Sequence, residues 1–355
     1  DGVNSATPIE IASNTTQVQV TTGSAEQSGV ISEDAAGRPL EKIGAGELVL
    51  SAANTFTGDM TVSGGTLSLS GGSALADSVD LILADGTTVN VLTSETIGSL
   101  ASVTGGTVAL GANSLTLSGA VSTSFAGNVT GGNFSAFLTN SGNTITMTGD
   151  STMTGTMGTT GGTMIMAAGA TTAAIQVGGT GATGVFTTNG GALAGNAQLV
   201  NLSTATININ GSETIGSILQ TSSGTINVAA GATLTVNGTT NAFNPTGASS
   251  IGNDVLGAGT LNVTGGTTTV QAGGNVATAT TIGAGGAVVN NGTMAAVGNA
   301  GSLTNNGTAG ALTNTGAGTG TSSGTLDSLT HNSTALFTNT GVITGNVTVN
   351  SGTVT

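Results

Sequence analysis

The chain has no cysteine, no tryptophan and no tyrosine among its 355 residues. Without cysteine there is no disulfide framework and no thiolate metal site. With aromatic residues at 2%, the rings that usually fill a globular interior are scarce. Only two basic residues occur, Arg38 and Lys42. The clustered cations that neutralise phosphates are therefore lacking, which excludes nucleic acid as a partner and removes any attraction to an anionic membrane. His331 is the single histidine, which leaves one candidate base for a triad and no cluster for zinc or iron. No run approaches 18 apolar residues, so no helix is expected to cross a bilayer. Charged residues make up 5%, against about 25% in an ordinary domain. Disordered chains combine low hydrophobicity with high charge; this one is 37% hydrophobic, and order is expected.

What is present is repetitive. Pairs of apolar residues two apart return every 19 positions: Leu48/Leu50 and Leu67/Leu69, Val89/Val91 and Val108/Leu110, Ile145/Met147 and Met164/Met166, Ile207/Ile209 and Ile226/Val228. A spacing of two places both members on one face of a strand. A fixed return distance near 20 residues marks one supersecondary unit stacked on copies of itself. The local unit is Gly-Thr followed by apolar-x-apolar, as in Gly65–Leu69, Gly106–Leu110, Gly162–Met166, Gly224–Val228 and Gly259–Val263. Glycine permits the turn, and the β-branched threonine opens the strand. The fold class is thus all-β, a right-handed parallel β-helix (β-solenoid) with about 19 residues per coil. At one strand spacing per coil, roughly 18 or 19 coils would give a rod roughly 90 Å long.

Three regions are distinguishable. Residues 1–39, charged and proline-containing, read as an N-terminal cap or lead-in, because an open solenoid end is a sticky strand edge. Residues 40–272 read as regular solenoid with an internal duplication of 94–132 in 212–249: Ser94-Glu95-Thr96-Ile97-Gly98-Ser99 returns as Ser212-Glu213-Thr214-Ile215-Gly216-Ser217, 118 positions later. Residues 273–355, rich in Asn, Gly and Thr, read as a continuation with shorter or less regular coils, and the chain is expected to continue past Thr355, which stops inside a strand signal. The start at Asp1-Gly2-Val3 fits a mature product after signal cleavage, and equally an internal boundary. The net charge of −14 is uneven, with 12 of 16 acidic residues and both basic ones in the first 100 positions.

Candidate chemistry is sparse. Asp77, Asp80 and Asp85 are the best carboxylate cluster for a glycoside-cleaving pair. They flank Leu81-Ile82-Leu83 and read as turn residues, and the basic and aromatic groups that would hold a sugar are missing. His331, in the polar stretch Leu329–Ser333, reads as a surface histidine. Five of seven methionines fall between Met147 and Met166 and read as adaptable core. Thr-x-Thr pairs at Thr146/Thr148, Thr152/Thr154 and Thr278/Thr280 do not recur at the 19-residue step, which argues against an ice-binding ladder. Sequons such as Asn128-Val129-Thr130 are expected from composition alone. No catalytic, cofactor-binding or metal-binding residue is assigned; no cofactor and no enzyme activity are expected.

The stretch Leu40–Ser70, LEKIGAGELVLSAANTFTGDMTVSGGTLSLS, resembles the autotransporter-associated β-strand repeat of Gram-negative passenger domains. Leu40, Lys42, Gly44, Gly46, Leu48 and Leu50 follow its first half. Ala53, Asn54, Thr55, Thr57 and Gly58 follow its centre, with Phe56 where that repeat usually has Tyr. Gly64, Gly65, Thr66, Leu67 and Leu69 complete it. Residues Glu95–Gly132 resemble the Glu-Thr-Ile-Gly-Ser-Leu segment that often accompanies it. The resemblance implies a structural repeat with no catalytic residue, exported to the cell surface or the extracellular space through a C-terminal barrel that this chain does not include. The expected role is adhesion or self-association, as in aggregation and biofilm. The expected partners are the chain itself, by lateral or end-to-end stacking, or neighbouring surface proteins and extracellular matrix, without insertion of this segment into a membrane. The alternatives are a subunit of an extracellular filament, sheath or surface layer, or a spacer stalk presenting another domain.

Overall fold

The computed structural model describes residues 3–355 apart from 120, 137–141, 168–170, 179–183, 192, 194–196, 202–204, 216, 221–224, 229–232, 237–242, 245–248, 252–253, 257–259 and 271. Among the described residues the chain is all strand, with no helix. Every strand pairing recorded is parallel, and the strands stack as a β-solenoid of about 15 coils roughly 19 residues apart. The chain divides into two compact units, Asp1–Ala173 and Ala174–Thr355.

In the first unit the apolar pairs seen in the sequence are the register itself. Leu48 and Leu50 of the strand Glu47–Leu50 lie opposite Leu67 and Leu69 of Thr66–Leu69. The next coil places Val89 and Val91 opposite Leu67 and Leu69, and the one after places Val108 opposite Val89. All of these side chains are buried, each contributing about 1.5–3 kcal/mol when fully removed from water. The coil length alternates, 19 residues from Leu48 to Leu67 and 22 from Leu67 to Val89. The extra residues lie in corners, where they leave the ladder undisturbed. A second column runs from Thr16–Gln19 through Leu40–Ile43, Met60–Val62 and Asp80–Leu83 to Ser99–Ala101. Residues before 40 are themselves strands in this stack, with Val3–Ser5 paired to Ser24–Gln27 and Ile9–Ile11 to Ile31–Glu33. Phe56 is fully buried, a place where a phenol hydroxyl would need a partner. Met147, Met153, Met157, Met164 and Met166 are buried as well, with Ile145 and Met147 opposite Met164 and Met166.

In the second unit, Val185–Thr188, Thr206–Ile209 and Thr225–Val228 stack in turn. The part of the duplicated block at 216, 221–224, 229–232, 237–242 and 245–248, and Gly259 of the repeated unit, lie outside the described residues. Beyond about residue 285 the coils shorten. Val288, Leu303, Gly320, Phe337 and Val354 stack in one column at steps of 15, 17, 17 and 17. Each of these coils contributes to three columns, the strands Thr308–Gly316 and Thr325–Ser333 each spanning two of them. The other two columns contain Met294, Ala309, Leu326 and Ile343, and Val297, Leu312, Leu329 and Val347.

Corners are closed by stacked glycines. A Cβ on Gly127 would come within 3 Å of the Gly106 carbonyl oxygen, and one on Gly149 within 3 Å of that of Gly127. The same holds for Gly307 over Gly292, Gly324 over Gly307 and Gly341 over Gly324.

Candidate functional site

The three aspartates do not converge. Asp77 and Asp85 sit in turns, whereas Asp80 opens the strand Asp80–Leu83. Asp80 has another neighbour instead: Leu81 lies opposite Met60, which brings Asp59 of the preceding coil beside it. Burial, and then the Asp80 charge, push Asp59 above the ordinary carboxyl value. This is an acidic pair on adjacent coils. Asp77 and Asp80 also border a groove of about 420 Å³ with Gly98, Ser118 and Val121, and no basic or aromatic side chain lines it. Among the described residues no three His, Cys, Asp or Glu side chains come together as a metal site.

Both basic residues have structural partners. Arg38 donates to Asp34 at 2.6 Å and to Asn14 at 2.8 Å. That bond to Arg38 holds Asp34 below its ordinary value. Lys42 is fully buried in the core column between Val18 and Val62. Its Nζ donates to the carbonyls of Ile43, Gly44 and Gly64 at 3.3, 2.9 and 2.8 Å. Three donors thus meet three acceptors, which closes two successive corners. Burial lowers its pKa from the ordinary lysine value.

The duplicated motif places a buried glutamate in each unit. Glu95 Oε2 accepts the Ala74 amide at 3.0 Å, and Glu213 Oε2 accepts the Leu193 amide at 3.1 Å. Both side chains are 3% exposed. They differ in the second oxygen. Glu213 Oε1 accepts the Thr188 hydroxyl, whereas Glu95 Oε1 is buried with no hydrogen-bond partner. Leu69 is the reason: it holds in the first copy the register position that Thr188 holds in the second.

His331 corrects the expectation of a surface histidine, for it is 0% exposed. It ends a buried polar column. Asn299 Nδ2 donates to Asn314 Oδ1 at 2.7 Å, and Asn314 Nδ2 to His331 Nδ1 at 3.2 Å. The Ala335 carbonyl lies 3.0 Å from His331 Nε2. An amide donor on one side and a carbonyl acceptor on the other fix the Nε2–H tautomer. A parallel column runs from Asn290 to Asn305 at 2.7 Å and on to Ser322 at 3.2 Å. Local alternation hides such columns, since each amide is satisfied by a residue 15 or 17 positions away. His331→Asn, which keeps an acceptor toward Asn314, is expected to be nearly neutral. His331→Leu is expected to cost about 1–3 kcal/mol through the orphaned Asn314 and Ala335 groups, as read by denaturant titration.

The outward positions of the last coils carry threonine. Thr304, Thr321 and Thr338 stack on one face, and Thr355 donates to Thr338 at 3.4 Å. Thr313, Thr330 and Thr348 stack on a second, and Thr293, Thr308 and Thr325 on a third. A 17-residue return of threonine is visible in the sequence, but only to a search not tied to the 19-residue step. From 275 to 355 the only acidic or basic residues are Asp327 and the buried His331. Apart from the exposed Asp327, the outer surface there carries hydroxyl and amide groups and the half-exposed Leu336, Val342, Val347 and Val349.

Residues 40–69 match the passenger-associated-transport-repeat family. The chain carries a passenger repeat. That match and the β-solenoid together fit an autotransporter passenger built of β-repeats, and the repeat family implies a secreted or surface-exposed protein of a Gram-negative bacterium. No curated protein and no solved structure matches the chain. The matched residues of this passenger repeat are those that build two coils. Lys42 closes the corners. Asn54 ties three coils together by accepting the Ile31 amide at 2.7 Å and donating to the Ala74 carbonyl at 2.8 Å. Gly58 admits the Arg38 carbonyl where a Cβ would collide.

Proposed function

We propose that this passenger is a non-catalytic surface scaffold whose neutral threonine and asparagine faces after residue 275 mediate adhesion by self-association. The observation that carries the reading is the stack of outward threonines on all three strand columns in a stretch almost without charge. Two such faces approach without like-charge repulsion. Each contact is weak, and strength comes from many rungs and many displayed copies. Because the faces are neutral, association is expected to vary little with salt, unlike pairing between charged surfaces.

Sedimentation velocity and negative-stain electron microscopy over a concentration series test this. Side-by-side pairs that survive 0.5 M salt (about a fivefold excess over a 0.1 M buffer) are the expected result. Thr321→Lys and Thr330→Lys, on different faces, are expected to abolish pairing singly or together, and so to identify the face used. End-to-end polymers would replace this reading with that of a filament subunit. Particles that remain monomeric at every concentration would overturn self-association and leave a heterophilic adhesin or a spacer.

A further inference from the structure

We propose that the Glu95 carboxyl is a proton-operated latch on the segment Ser70–Val79, closed with the proton on and released when it is lost. The geometry is that of a clamp. Ala74 is held from two sides, its carbonyl by Asn54 Nδ2 at 2.8 Å and its amide by Glu95 Oε2 at 3.0 Å. Ala74, Leu75 and Val79 are the buried side chains of this segment. Glu95 itself is 3% exposed and has an unpartnered Oε1.

The backbone amides of Ala74, Leu75 and Thr96 favour a negative charge on Glu95, but burial outweighs them and no cation faces it. The following coil places Leu115 opposite it. The clamped segment contributes Asp77, whose charge opposes ionisation. Arg38 is bonded to Asp34 and Asn14, and Lys42 to three carbonyls. A protonated carboxyl still accepts the Ala74 amide through its carbonyl oxygen, whereas a carboxylate there leaves a buried charge with one oxygen unpaired. Burial is the main cause that pushes Glu95 up to about 7, with Asp77 adding to it. Because the folded value lies above the ordinary value of 4.5, the folded chain binds a proton that the unfolded chain does not between those two pH values. Stability present at low pH is therefore lost as pH rises through that window.

The chain contains its own comparison. Glu213 holds the Leu193 amide in the same way, but the Thr188 hydroxyl satisfies its second oxygen. The latch in the first unit therefore has a buried oxygen with no donor, where its counterpart in the second has a hydroxyl donating to it. Release would uncover Ala74, Leu75 and Val79 as an apolar strip beside the passenger repeat.

Amide hydrogen exchange of the full chain at pH 6 and pH 8, each rate divided by the intrinsic rate at that pH, tests the proposal. Ala74 is expected to lose roughly tenfold in protection between the two, the change that a group titrating near the middle of the interval produces. Leu193 is expected to lose none, and Glu95→Gln, which keeps the acceptor and cannot ionise, to hold Ala74 closed at both. Unchanged Ala74 protection in the wild type, an equal loss at Leu193, or a loss that persists in E95Q would each overturn it. If E95Q does not fold, the wild-type comparison of Ala74 with Leu193 decides alone.

Discussion

Lys42→Met is expected to destabilise the first unit by about 3 kcal/mol, more than any other single polar-to-apolar change in it. Methionine matches the volume, so the loss is not one of packing. What is lost is the ammonium that satisfies the Ile43, Gly44 and Gly64 carbonyls, and each buried carbonyl left without a donor costs about 1–3 kcal/mol. Hydrogen exchange reads the effect locally, at the amides of the strands Leu40–Ile43 and Met60–Val62, and denaturant titration reads it globally. The same lysine provides a direct probe. As the only lysine in the chain, it is expected to resist amine-reactive reagents in the folded protein and to react on unfolding. Prompt labelling under native conditions would sink the buried placement. Its lowered pKa carries a sign as well. Just below 10.5 the unfolded chain holds the proton more tightly than the folded one, so this group's contribution to stability rises with pH there.

The second large effect is steric. Gly324→Ala is expected to cost about 3 kcal/mol, because the added methyl meets the Gly307 carbonyl, which is backbone and cannot rotate away. Gly316→Ala is the informative comparison. Gly316 has φ +60 and nothing within 4 Å of an added Cβ, so it is expected to cost only about 1–2 kcal/mol of left-handed strain. A thermal melt of both variants separates close approach from backbone freedom as the reason for glycine. If the two cost the same, the glycine column is not a steric requirement.

The fold was legible because one periodicity expresses it directly. Leu48 opposite Leu67, Ile145 opposite Met164 and Ile207 opposite Ile226 are sequence repeats and strand partners at once. The intermediate 22-residue steps were not legible, since a corner absorbs extra residues without changing which side chains face inward. The buried polar groups were harder still. Lys42 and Glu95 belong to recognisable motifs, but nothing local says that a lysine points into the core toward three carbonyls. His331 was misplaced for a related reason. Asn and His in a polar stretch look solvated, and only the neighbouring coils reveal that Asn299, Asn314 and His331 satisfy one another. Hydrophobic pattern reports burial of carbon; burial of an amide depends on a partner that sequence proximity does not supply.

Those amide columns also have a sense of direction. Asn290 donates to Asn305, Asn305 to Ser322, Asn299 to Asn314 and Asn314 to His331. Every donor points toward the later coil, so the side-chain dipoles add along the stack instead of cancelling. Each position must therefore receive from behind and give ahead, which an amide or a hydroxyl can do and a carboxylate cannot. Hydrolysis of a single amide, turning Asn305 into aspartate, would leave a group that still accepts from Asn290 but gives nothing to Ser322. The column would stop there like a broken relay, with the strands on either side still in register.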